Sequence, residues 1–102
     1  MSLQKPFDIS LRGKTVDGNE PNEISWKVSG DIQTAFKIDI LSNVDNSLVW
    51  TSNKINSYAL KYTIPSLTLA NGNEYKIAIT VYNQANSSIT SDAEIFQTSS
   101  RP

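Results

Sequence analysis

Neither cysteine nor histidine occurs anywhere in this chain. Without cysteine there is no disulfide framework, no thiolate metal site and no cysteine nucleophile. Without histidine the commonest general base and the commonest metal ligand are missing, and with them Ser–His and zinc-hydrolase mechanisms. No apolar run approaches the roughly 20 residues that cross a bilayer, so no membrane span is expected. The opening Met1-Ser2-Leu3-Gln4-Lys5 lacks the apolar region of a signal peptide. Met1-Ser2-Leu3 matches an expression-vector remnant; on that reading the chain is an excerpt of a longer protein, and the missing signal says nothing about location. The nine Lys and Arg residues are scattered and the net charge is −1. Phosphate binding needs clustered positive charge, so nucleic acid is not an expected partner.

Helical spacing is also scarce: no window keeps apolar residues at i, i+3, i+4 and i+7, while β-branched residues are plentiful. Short alternating segments separated by Gly, Asn, Asp and Ser clusters take its place, as in an all-β sandwich. Phe7–Leu11 alternates with Phe7, Ile9 and Leu11 on one face. Glu23–Ser29 turns Ile24, Trp26 and Val28 inward, and Ala35–Leu41 does the same with Phe36, Ile38 and Ile40. Leu48-Val49-Trp50 is a short strand. Ile55–Ile64 is less regular, with Tyr58, Leu60, Tyr62 and Ile64 in one parity, and Pro65 ends it. Tyr75–Tyr82 buries Tyr75, Ile77, Ile79 and Val81. Ile89–Thr98 is the last strand, where Ile95-Phe96 breaks parity and predicts a bulge. About seven strands result, in one domain of ordinary size for 102 residues. The expected division is a leader over 1–5, a domain over 6–98 and a linker over 99–102.

Leu67-Thr68-Leu69-Ala70-Asn71-Gly72-Asn73-Glu74-Tyr75 carries the sharpest local signal. An apolar segment ends, Asn71-Gly72 turns the chain, and a tyrosine opens the next strand. This is the pattern of a tyrosine corner, in which the ring folds inward and the hydroxyl bonds backbone a few residues upstream. Together with Ile24-Ser25-Trp26-Lys27-Val28 and Phe36-Lys37-Ile38-Asp39-Ile40, it resembles a fibronectin type III domain from Pro6 to about Thr98. The tryptophan on the second strand and the lack of cysteine separate this pattern from antibody-type immunoglobulin domains, where the tryptophan sits on the third strand beside a disulfide. The resemblance implies an immunoglobulin-like β-sandwich of fibronectin type III topology, with about seven antiparallel strands in two sheets. Trp26, Phe36, Leu69, Gly72 and Tyr75 then have structural roles. Leu48-Val49-Trp50-Thr51-Ser52-Asn53-Lys54-Ile55 is similar to a segment of fibronectin-like modules in bacterial glycosidases, especially rhamnosidases, and in phage tail proteins. Asn53 stands where glycine is usual, and asparagine tolerates the same left-handed conformation.

Chemistry is harder to find. Glycosidic catalysis holds two carboxyls about 5–9 Å apart in a cleft, and the spacing of Asp8, Glu20, Glu23, Asp31 and Asp39 gathers no such pair. Asp17-Gly18-Asn19 is too short for a calcium loop and reads as a turn. The loop Asn83–Ser88 has no Arg-Gly-Asp tip. Asn86-Ser87-Ser88 is formally a glycosylation acceptor, a match that chance supplies in a chain this rich in Asn and Ser. Trp50 is the aromatic open to two readings, packing at the sandwich rim or a stacking platform for a sugar or protein, and Tyr82 is placed on the same exposed face. No catalytic, metal or cofactor residue is expected. The leading function is a non-catalytic structural or spacer module of a larger bacterial or phage surface protein, with a phage tail as the preferred context. Its partners are then neighbouring domains of the same polypeptide. The alternative is a carbohydrate- or protein-binding accessory module that uses Trp50 and Tyr82.

Overall fold

Alternation decides which residues become the long strands. In β3 (Ala35–Ser42) and β6 (Glu74–Tyr82) buried side chains recur at every second position, and a strand turns successive side chains to opposite faces. The antiparallel register sets Phe36 against Val81, Ile38 against Ile79 and Ile40 against Ile77. All six are 2% exposed or less. Burying a side chain of this size contributes roughly 1.5–3 kcal/mol relative to leaving it exposed, so this ladder is the axis of the core.

The computed structural model describes residues 4–65, 69 and 71–99. Among them are eight strands and no helix. The larger sheet runs β1 (Thr15–Val16), β8 (Glu94–Thr98), β6, β3, β4 (Leu48–Thr51), with β7 (Ser88–Thr90) also on β6. The smaller sheet is β2 (Asn22–Ser25) with β5 (Lys61–Ile64). Only β1 and β8 pair in parallel among these strands. Ile24 and Ile64 from the smaller sheet, with Trp26 just beyond β2, close on Phe36, Ile38, Ile77, Ile79 and Phe96 of the larger. The expected immunoglobulin-like sandwich is therefore present, elongated to 45 × 22 × 20 Å.

Three expected segments differ in detail. Phe7–Leu11 is no continuous strand: Asp8 has φ of 55°, which breaks the extended run. Phe7 only exchanges two backbone bonds with Lys27, at 2.9 and 2.8 Å. It is 48% exposed, whereas Ile9 and Leu11 are buried. Ser10 N–H then bonds Ser25 O in the smaller sheet and Gly13 N–H bonds Ile95 O in the larger. The first segment thus crosses from one sheet to the other. Tyr58 and Leu60 are exposed, unlike Tyr62 and Ile64, and both precede the ladder to β2, which starts at Lys61. The last strand is split in two. Ile79 faces Ser91 but Ile77 faces Glu94, so one extra residue enters at Asp92-Ala93. The bulge inferred from Ile95-Phe96 exists, and it lies upstream of those residues.

The corner is built from distant pieces. Tyr75 is 5% exposed with its ring 5.8 Å from that of Phe96, and Leu69 is buried beside it in the core. The tyrosine hydroxyl is expected to meet backbone a few residues upstream, in a stretch of which 66–68 and 70 lie outside the described residues, as do the linker positions 100–102 and the leader positions 1–3. Gly72 has φ of 80°, a conformation glycine adopts without a Cβ penalty. Gly18 is needed for a different reason: a Cβ there would lie 2.3 Å from Leu69 O. Its N–H donates to Asn71 Oδ1 at 2.8 Å, and Asn71 Nδ2 donates to Asp17 Oδ1 at 3.2 Å. The turn Asp17-Gly18-Asn19 is the clasp that holds the corner.

Candidate functional site

The segment Trp50–Ile55 shows how a short sequence steers side chains to both faces of a sheet. Thr51 faces Asp39 and Trp50 faces Ile40. Ser52 N–H then donates to Ile38 O, and Ser52 Oγ accepts the Ile38 N–H, both at 2.9 Å. Ile55 exchanges backbone bonds with Phe36. Ile38 and Phe36 are two positions apart while Ser52 and Ile55 are three apart, so the edge strand bulges at Asn53. Asn53 has φ of 59°, the left-handed conformation that its place in the segment demands. A bulge on an edge strand also makes the edge a poorer template for another chain.

Trp50 emerges on the inner face. Its ring is 6.1 Å from Tyr62, which is 5.9 Å from Phe36, which is 5.0 Å from Trp26. Four rings therefore run in contact across the sandwich, at separations where tilted and edge-to-face pairs are favourable. Tyr82 is on the opposite face, opposite Ala35 in the register. Lys54 Nζ sits 4.6 Å from the Tyr82 ring centre and donates to Asn86 Oδ1 at 2.7 Å. The expected common face of Trp50 and Tyr82 is corrected: Trp50 is in register with Ile40 and through it with buried Ile77, while Tyr82 lies five residues beyond Ile77 on β6 and so points to the other side of the sheet. Trp50 packs at the rim, and Tyr82 is covered by a cation.

A feature absent from the sequence reading lies at the Tyr82 end of the molecule. Val28, Gly30, Ile32, Tyr58 and Leu60 line an open hollow of about 260 Å3, with Gln33 at its base. Ile32 and Tyr58 are 70% and 72% exposed. Gln33 is 2% exposed and joins the two walls. Its Oε1 accepts the Trp26 indole N–H at 3.0 Å, and its Nε2 donates to Ser57 O and Ala59 O at 3.2 and 2.8 Å. Asp31 accepts from Ile32 N–H and Asn83 Nδ2 at 2.8 and 3.0 Å, tying this wall to the loop after β6. The only available signal for the hollow was a glutamine in a loop after a core tryptophan, and nothing local marks such a residue as buried.

The acidic candidates do not converge. Asp8 pairs with Lys27 at 3.1 Å and Asp39 with Lys37 at 3.6 Å. Among the described residues no three His, Cys, Asp or Glu side chains are grouped to hold a metal. Asp45, in the turn between β3 and β4, has its pKa lowered from 3.8, chiefly by the Ser47 hydroxyl and then by the Ser47 N–H. That shift belongs to turn geometry.

Residues 13–100 match the family described as Rha78A-like, N-terminal immunoglobulin domain. No curated protein matches the chain in sequence. An α-L-rhamnosidase from Dictyoglumus thermophilum aligns in structure with TM-score 0.80 and 17% identity, over 97% of this chain and 13% of the enzyme. A myokine structure aligns with TM-score 0.76 and 18% identity, over 96% of this chain and 99% of its own. An Fn3-like protein from Clostridium thermocellum gives TM-score 0.67 and 13% identity, with 96% and 95% covered. At these identities the structural likenesses carry the fold.

Proposed function

Because the chain belongs to the family of Rha78A-like N-terminal immunoglobulin domains, we propose that it is a non-catalytic spacer module that sets the distance and orientation of its neighbours. The reading rests on where the chain enters and leaves. Lys5 sits 3.0 Å from Asp92, just before β8, and Ser99 follows the far end of that strand, bonded to Val16 and Gly72. Entry and exit are therefore separated by the length of β8, roughly 17 Å at about 3.4 Å per residue. A module threaded in this way transmits direction as well as distance. Its partners are the neighbouring domains of the same polypeptide, in a bacterial or phage surface protein. A place in a phage tail is the finer context, supported by the Leu48–Ile55 segment.

Energy transfer between fluorescent reporters fused to the two ends tests the spacer role. A single narrow efficiency, unchanged by salt, is expected. A broad distribution like that of a Gly/Ser linker of equal length would overturn it.

A second reading, recognition of a protein partner, is favoured by the hollow rather than by Trp50 or Tyr82. Gln33 and Asp31 already bond within the protein, which leaves an apolar surface suited to an aliphatic or aromatic side chain. Binding abolished by Tyr58→Ser and retained by Trp50→Ala identifies this mode. Glycan binding lost with Trp50→Ala would instead support sugar stacking.

A further inference from the structure

Asn71-Gly72 is the sole Asn-Gly pair in the chain, and its chemistry is not absorbed by the spacer role. In such a pair the glycine nitrogen gives up its proton and forms a C–N bond to the asparagine carboxamide carbon, the bond from that carbon to the side-chain nitrogen breaks, and the departing nitrogen takes up a proton and leaves as ammonia. The resulting succinimide is opened by water to aspartate or isoaspartate. Water is the only co-reactant, and no electrons change hands. Glycine makes the ring closure easy because no side chain blocks the approach.

In this protein both reacting groups are already held. Gly72 N–H donates to Ser99 O at 2.7 Å. Asn71 Oδ1 accepts the Gly18 N–H at 2.8 Å, and Nδ2 donates to Asp17 Oδ1 at 3.2 Å. The next residue is fastened as well, since Asn73 N–H donates to Thr98 Oγ1 at 3.0 Å and Thr98 N–H to Asn73 O at 2.9 Å. Attack requires the Gly72 nitrogen to leave Ser99 and turn toward a carboxamide that must leave Asp17 and Gly18. We infer that Asn71 is a deamidation site gated by opening of the corner, so that conversion records local unfolding and not simple exposure.

The product cannot restore the clasp. Aspartate at this position puts a carboxylate where the Nδ2 donor met Asp17, setting two like charges side by side. Isoaspartate adds a methylene to a turn that fits Gly72 at φ of 80°. An opened and converted corner therefore recloses less readily than it opened, which makes the step directional.

The test follows conversion by peptide mass spectrometry in mildly alkaline buffer, folded and in denaturant. Exposed Asn56, followed by Ser57, is the internal clock. In denaturant Asn71 should convert before Asn56. In the folded chain Asn71 should be at least roughly tenfold slower than in denaturant, the factor that an opening free energy of about 1.4 kcal/mol imposes, and should trail Asn56. Thr98→Val removes the Thr98 hydroxyl from the corner and should speed Asn71 with no change at Asn56. Asp17→Ala, at an exposed position, is the second variant if Thr98→Val folds poorly, with the same expectation. Equal Asn71 rates in folded and denatured chains, or no response to the folded variant, would overturn the inference.

Discussion

The two ends of the sandwich are both fastened by an amide side chain, yet they are fastened in different media. At the corner end Asn71 bridges Asp17 and Gly18 close to the surface, and Thr98 and Ser99 add backbone bonds. At the opposite end Gln33 is buried and connects Trp26 to Ser57 and Ala59 beneath an apolar hollow. Water can replace a lost partner at the first site. At the second it cannot, so an orphaned donor or acceptor bears its full desolvation penalty. The corner is thus a fastening that can open and close, whereas the Gln33 cluster is part of the core.

Variants can break this distinction. Trp26→Ala strikes the buried end hardest, with an expected loss of about 3–5 kcal/mol from lost burial and a cavity, read by urea unfolding. A loss below that of any corner variant would contradict the assignment of Trp26 to the core. Gln33→Leu keeps the volume but orphans the indole N–H and two carbonyls, and should cost about 1–3 kcal/mol. Asn71→Ala should cost less than Gln33→Leu under the same conditions; equal losses would erase the contrast between buried and surface fastening.

Gly18→Ala forces a methyl group toward Leu69 O, and the corner end should then lose about 1–3 kcal/mol through strain. Amide exchange at Gly72 and Asn73 should rise in that variant while exchange at Gln33 stays slow. Lys54→Met removes the cation from Tyr82 and should cost about 0.5–1 kcal/mol, with a change in tyrosine but not tryptophan fluorescence.

The smallest effect is electrostatic. Asp45 has a folded-state pKa below 3.8 because Ser47 hydrogen bonds favour its charged form. Its contribution is present above pH 3.8 and is lost as pH falls through the lowered folded value. Acid titration of the unfolding midpoint should therefore show a shallower decline in Asp45→Asn than in the parent chain over that window.

Legibility in the sequence followed the range of the interaction. β3 and β6 were legible because a period of two is written into Phe36-Lys37-Ile38-Asp39-Ile40 and Tyr75-Lys76-Ile77-Ala78-Ile79, and their partners bury the same parity. Asn53 was legible because backbone handedness is a local preference. The last strand was half legible: Ile95-Phe96 signalled a change of parity, but the extra residue could sit at any point between Ile89 and Phe96. Phe7 misled, since its alternation with Ile9 says nothing about a left-handed Asp8 between them. The grouping of Trp50 with Tyr82 misled for a related reason. Each is aromatic near an end of a strand, and only the pairing register tells which face each side chain takes.

By itself the sequence determined an all-β sandwich with Trp26, Phe36 and Tyr75 at its centre, because alternation and turn chemistry act between near neighbours. Tertiary structure decided which loops lock together. Gly18 meets Leu69 and Asn71, Gln33 meets Ser57 and Ala59, and Lys54 meets Tyr82 and Asn86 across many residues of chain. Such contacts obey no period. They arise only when two sheets have packed and brought distant polar groups within hydrogen-bond reach, where leaving them unpaired would cost more than the residue choice itself reveals.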